Sequence, residues 1–169
     1  MRIIRMFAVA VLLFAAMAAP SPAQDKAGIV PIAKTKFSAL DGLPACMTLS
    51  AQRGDPFKGP AVILIKMTAG CTIPWHWHTA NESLMIVGGK GKIEMKDAAA
   101  QALVSGDFVF LPSKHHHQFT CIAACTFFDV TDAAFDIHYI DKDGKEIPPA
   151  EALKAPAKKP AAPAAKKKG

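Results

Sequence analysis

In Pro74-Trp75-His76-Trp77-His78, two imidazoles alternate with two indoles. Side chains alternate along an extended strand, so His76 and His78 share one face, while Trp75 and Trp77 take the other for packing or a dimer contact. Glu82 follows four residues after His78, across the short polar break Thr79-Ala80-Asn81. It opens the next apolar run and can turn back to the same spot, making a three-ligand, hairpin-like unit. A fourth ligand comes from His115-His116-His117, which follow Phe108–Leu111 and Pro112. Three imidazoles and one carboxylate suit one divalent transition metal (iron, manganese, nickel, copper or zinc) with open positions for water or substrate, and do not favour calcium or magnesium. His115 and His116 read as loop residues beside the ligand. His138, in a late apolar run with Tyr139, reads as a packing or surface residue rather than a proton shuttle.

The elements that must hold these ligands read as strands. Short β-rich runs alternate with Gly, Pro and Asp breakers: Met47–Ala51, Ala61–Thr68, Thr72–His78, Glu82–Gly88, Lys90–Met95, Ala102–Val104, Asp107–Leu111, His117–Cys121, Cys125–Val130 and Phe135–Ile140. About ten strands without a long helical period mean an all-β sandwich or barrel. Phe119 has the strand parity of His117, and Leu84 and Ile86 have that of Glu82, so these three are expected to line an apolar pocket around the metal.

The spacing of these residues resembles the cupins, small β-barrels of the jelly-roll, or double-stranded β-helix, kind. The first cupin motif is met throughout by Gly70, His76, His78, Glu82 and Gly89, and the second is met by Gly106, Pro112 and His117, with Asp107 as its typical acidic residue. Two positions depart, Lys114 standing where the second motif has Gly and Cys121 where it has Asn. The resemblance covers about residues 45–140 and implies His76, His78, Glu82 and His117 as metal ligands. It further implies a small-molecule substrate or ligand, and a homodimer paired through edge strands. Because the barrel hosts dioxygenases, decarboxylases, isomerases and non-enzymes, the fold does not fix a reaction. A dioxygenase-like oxidoreductase is the leading expectation, and a non-catalytic metal or small-ligand module of the cell envelope is the alternative.

The rest of the chain concerns delivery. Arg2 and Arg5 precede an apolar run from Met6 to Ala19, then Pro20 and the small residues Ser21-Pro22-Ala23, the layout of a signal peptide cleaved after Ala23. A spanning helix needs about 20 apolar residues, more than this run holds. The expected destination is periplasmic or secreted, with no transmembrane span in the mature chain. Export makes the four cysteines disulfide candidates. Of the three pairings available, Cys121–Cys125 with Cys46–Cys71 is favoured, because a tight hairpin between strand-like runs would set Cys121 opposite Cys125; the alternative is buried free thiols. The expected organisation is a signal peptide over 1–23, a lead-in over 24–44, a barrel over 45–147 and a disordered Ala/Pro/Lys tail over 148–169.

Of the 169 residues, 51% are hydrophobic and 20% charged, ordinary for one globular domain and too short for a multidomain machine. The formal charge of +6 is misleading, because residues 24–150 hold 12 Lys and Arg against 13 Asp and Glu, while 151–169 hold six Lys against one Glu. No aromatic residue interleaves those lysines for base stacking, so no nucleic-acid partner is expected. Weak, salt-dependent association with anionic envelope polymers or lipid is the tail's alternative to having no partner.

Overall fold

The computed structural model describes residues 27–154, so the segment read as a signal peptide and the lysine tail beyond Lys154 lie outside the described residues. Ten strands form: β1 (Met47–Arg53), β2 (Ala61–Met67), β3 (Thr72–Trp77), β4 (Glu82–Gly88), β5 (Lys90–Met95), β6 (Gln101–Val104), β7 (Phe108–Leu111), β8 (His117–Cys121), β9 (Cys125–Thr131) and β10 (His138–Tyr139). They build two five-stranded antiparallel sheets, ordered β1-β2-β9-β4-β7 and β10-β3-β8-β5-β6. This is an all-β jelly-roll barrel.

Strict alternation fills it. β9 turns Cys125, Phe127, Asp129 and Thr131 inward, and β4 does the same with Glu82, Leu84 and Ile86. Ile63, Ile65, Ile93, Phe119, Phe127 and Tyr139 form the dry centre of the core. Gly89, with φ +83°, lets the link between β4 and β5 pass against the backbone of Ala124, where a Cβ would overlap the Ala124 carbonyl.

Jelly-roll winding corrects two expectations. Glu82 is not the far arm of a hairpin: β3 pairs with β8 and β10, whereas β4 pairs with β7 and β9. Thr79-Ala80-Asn81 therefore carries the chain from one sheet to the other. Nor do Cys121 and Cys125 face each other across a hairpin, since β8 pairs with β3 and β5 and β9 with β2 and β4. Their three-residue link is a corner between sheets, and a Cys121–Cys125 disulfide staples it. The second disulfide, Cys46–Cys71, joins the approach to β1 to the approach to β3 across a sequence separation of 25.

Both flanks of the barrel pack onto it. Ser38 and Leu49 exchange backbone hydrogen bonds, Leu43 is buried, and Tyr139 Oη donates to the Gly42 carbonyl at 2.9 Å. The lead-in thus closes one end of the barrel. The sequence places the start of the tail at Pro148, but the helical turn α1 (Pro149–Ala152) follows, with Ala152 and Leu153 against the core. A composition averaged over many Ala, Pro and Lys hides that single apolar anchor.

Candidate metal centre

The candidate ligands are aimed by an irregularity that alternation alone does not contain. Ile73 pairs with Phe119 and His76 with His117, so Pro74 and Trp75 of β3 face the single residue Gln118 of β8. This bulge at Pro74-Trp75 turns both Ile73 and His76 inward, although an unbroken strand would set them on opposite faces. Beyond it alternation resumes, with Trp77 outward and His78 buried just past the strand end. His117 opens β8 opposite His76, and Glu82 opens β4. The three imidazoles therefore come from one sheet and the carboxylate from the other.

All four side chains are buried, at 2%, 5%, 4% and 3% exposure for His76, His78, Glu82 and His117. The histidine ligand atoms lie within 4.8 Å of one another, and the rings of His76 and His117 have centroids 4.1 Å apart. Glu82 Oε2 lies 3.3 Å from His78 Nε2 and 3.6 Å from His117 Nε2. Each Nδ1 meets a backbone carbonyl: His76 that of Pro74 at 2.6 Å, His117 that of His115 at 2.9 Å, and His78 that of Asp136. A carbonyl can only accept, so each Nδ1 carries the proton and each Nε2 presents a lone pair. Three lone pairs and a carboxylate oxygen then converge in a buried space, an arrangement that repels itself unless a metal ion or a proton sits among them. The donor set fits a divalent transition metal, and the three carbonyls hold the rings in the ligating tautomer.

Burial drives the electrostatics. Desolvation pushes His78 down to about 4 and His117 to about 3, and holds His76 well below its ordinary value, helped by its histidine neighbours. The same burial pushes Glu82 up, with the nearby Asp129 carboxyl adding to the rise, and lifts Asp129 to about 7. The imidazoles are thus neutral over the whole physiological range, the form in which they could ligate a metal.

The free space beside these atoms is a cavity of about 30 Å³, room for an ion and a water or two. Leu84 and Phe119 line it as expected. Ile86 does not: it faces inward but sits one inward position farther along β4, opposite Phe127 in the core. Leu43, Met47, Phe135 and Ile137 are among the further apolar lining residues, and Asp129 is the lining carboxylate that sequence reasoning passed over. Its signal was legible, since Cys125-x-Phe127-x-Asp129-x-Thr131 puts an acid on the apolar face of a strand.

The other histidines stand apart. His115 lends its backbone carbonyl to His117, and His116 borders a surface hollow with Trp75 and Lys96. His138 stacks on Trp77 with centroids 3.9 Å apart, and its ring nitrogens face Asp136 and Glu146. Lys114, which replaces the motif glycine, has φ 61°, the left-handed conformation a glycine would take. Its N–H donates to the His78 carbonyl at 2.8 Å, so the turn keeps its shape despite the substitution. A left-handed non-glycine residue costs about 1–2 kcal/mol, partly offset by its smaller backbone entropy when unfolded. Lys114→Gly is expected to stabilise the fold by about 1 kcal/mol in chemical denaturation, and equal or lower stability would show that the turn carries no strain.

Comparison with known proteins agrees with this geometry. Residues 63–131 match the family model described as the cupin domain. Over 75 residues the chain is 36% identical to the dimethylsulfoniopropionate lyase DddQ of Ruegeria pomeroyi, covering 43% of this chain and 37% of that protein. The chain thus spans little more than a third of this curated relative's length. Among solved structures, an RmlC-like cupin protein from Ralstonia eutropha superposes with a TM-score of 0.59 at 18% identity, covering 72% of this chain and 77% of its own. The polyketide cyclase RemF of Streptomyces resistomycificus also gives 0.59, at 15% identity and 70% and 90% coverage. At such identities the two superpositions speak for the fold alone. With the jelly-roll barrel, the motif residues and the family match in place, residues 63–131 form a cupin domain.

Proposed function

We propose that this chain is an exported, metal-dependent cupin enzyme that acts on a small organic molecule. The observation that carries the reading is the convergence of three Nε2 lone pairs and the Glu82 carboxylate in one buried space. A divalent metal held there would supply Lewis-acid chemistry. His76, His78, Glu82 and His117 would hold it, while Leu84, Phe119 and the other apolar lining residues exclude water. A cavity of about 30 Å³ restricts the reacting part of the substrate to a few atoms. For the reaction, the 36% likeness to a dimethylsulfoniopropionate lyase favours elimination from a small carboxylate, and the resemblance of the ligand set to cupin oxygen enzymes favours a dioxygenase-like oxidation. The smallness of the cavity supports a second reading, a non-catalytic metal or small-ligand module. Export is supported by the N-terminal pattern and by two disulfides, which persist in an oxidising compartment. Among the described residues no helix is long and apolar enough to cross a membrane. A homodimer is supported by the outer face of the first sheet, where Phe108 and Phe110 are exposed beside Met85.

The test is elemental analysis of residues 24–169, purified without a tag or chelator beside a His76→Ala/His78→Ala control. About one iron, manganese, nickel, copper or zinc per chain, absent from the control, is the expected result; no metal above the control after reloading would sink the reading. Incubating the loaded protein with dimethylsulfoniopropionate, with and without oxygen, then separates the reactions. Elimination proceeds without oxygen, an oxidation consumes it, and a binding module turns over neither this compound nor a wider panel of small carboxylates.

A further inference from the structure

Asp129 is a carboxylate where the barrel calls for a hydrocarbon. On β9 it lies between Ile63 of β2 and Leu84 of β4, it is 2% exposed, and it lines the cavity that holds the three imidazoles. No amide, hydroxyl, imidazole or amine donates to its Oδ1. The group it interacts with is the Glu82 carboxyl, its diagonal neighbour across the β4–β9 ladder, where Glu82 pairs with Thr131 and Leu84 with Asp129. Burying an acid in such a place costs stability that a leucine would not, so the residue calls for an explanation other than packing. The explanation lies in what Glu82 lacks. Each of these three histidines is steered by a backbone carbonyl, but among the described residues no backbone N–H or neutral side-chain donor reaches the Glu82 carboxyl.

We propose that Asp129 is a positioning residue of the metal centre, which fixes the rotamer of Glu82 through a carboxyl–carboxyl hydrogen bond so that the Glu82 oxygen faces the three imidazoles. The inference deepens the metal-dependent reading and rests on it. Ligating carboxylates are ordinarily held by such outer partners, whose loss costs about 10–100-fold in metal affinity. An amide can replace the carboxyl as a hydrogen-bond donor to Glu82, and a hydrocarbon cannot.

The experiment uses cobalt(II) as probe on the full mature chain, with chelator competition for affinity and the visible spectrum for coordination geometry. Wild type, Asp129→Asn, Asp129→Leu and Glu82→Gln are compared, and each metal-free protein is also melted. Asp129→Asn is expected to keep the wild-type spectrum and an affinity within about 3-fold, while Asp129→Leu loses about 10–100-fold and changes the spectrum. Its metal-free form should melt no lower than wild type, which a purely structural role would not allow. Should the leucine variant not fold, Asp129→Ala gives the same comparison. Wild-type affinity and spectrum in the leucine or alanine variant would overturn the proposal. So would an asparagine variant as impaired as the leucine one, because Asp129 would then act by its charge. Failure of the wild type itself to bind cobalt, with Glu82→Gln indistinguishable from it, would instead remove the metal reading on which the proposal stands.

Discussion

His117→Ala will leave the barrel folded and empty it of metal. The ring of His117 supplies one of three converging Nε2 lone pairs, on the strand that pairs with the one bearing His76, and alanine cannot ligate. Free metal at about 100 times its dissociation constant stabilises a folded site by about 2.7 kcal/mol; that increment should appear in wild-type melts and vanish in the variant. The metal-free variant should lose much less, because removing His117 also removes a lone pair that faces Glu82 and the other histidines across a dry gap. A variant that still takes up one metal per chain, or gains the full increment, would show that His117 is not a ligand. The pH dependence has a definite sign. A metal competes with protons, and His78 and His117, pushed down to about 4 and about 3, hold none near neutrality. The competing proton sits on Glu82, which burial pushes up, with the neighbouring Asp129 adding to the rise. Metal affinity should therefore fall as pH drops even above the ordinary carboxylate range, where exposed carboxylates would give no slope.

Why the site was legible while parts of its scaffold were not follows from what each residue must do. His76, His78, Glu82 and His117 show in the sequence because the proposed metal ligation demands particular side chains at fixed spacing. Strand limits were legible for a similar reason: Glu82–Gly88, Lys90–Met95 and His117–Cys121 end where glycine, cysteine or a polar break ends the alternation. Which strand pairs with which is a long-range property. Short links such as Thr79-Ala80-Asn81 and Ile122-Ala123-Ala124 look like hairpin turns locally, and only the closed barrel makes them corners between sheets. The bulge at Pro74-Trp75 is hidden likewise, because a one-residue slip shows only against the partner strand. Leu43 was passed over as lead-in, since one buried leucine carries no period. Lys114 shows the converse case: the backbone conformation at that turn outlasts the glycine that would favour it.

Phe119→Ala should be the most costly single substitution in the apolar wall. Phe119 is 2% exposed, packs against Phe127 with centroids 4.8 Å apart, and reaches over Gly91, where a Cβ would come within 2.7 Å of its ring. The glycine makes room for the ring, so no neighbouring side chain is in place to fill the void that alanine would leave. Deleting a buried phenylalanine costs about 3–5 kcal/mol, a large share of the roughly 5–15 kcal/mol that holds a domain together. Phe119→Leu, which keeps more of the volume, should cost about half as much or less. Denaturant titration of the metal-free proteins measures both. Because Phe119 stands two residues after His117 on the same face of β8, the void opens directly onto the proposed ligands and admits further water beside them. The alanine variant should still bind metal, since all four ligands remain, but exchange it faster with a chelator than wild type. A loss below about 1 kcal/mol, outside the range for deleting a buried phenylalanine, together with unchanged exchange, would mean that the wall collapses onto the gap and that Phe119 is not what seals the metal from solvent.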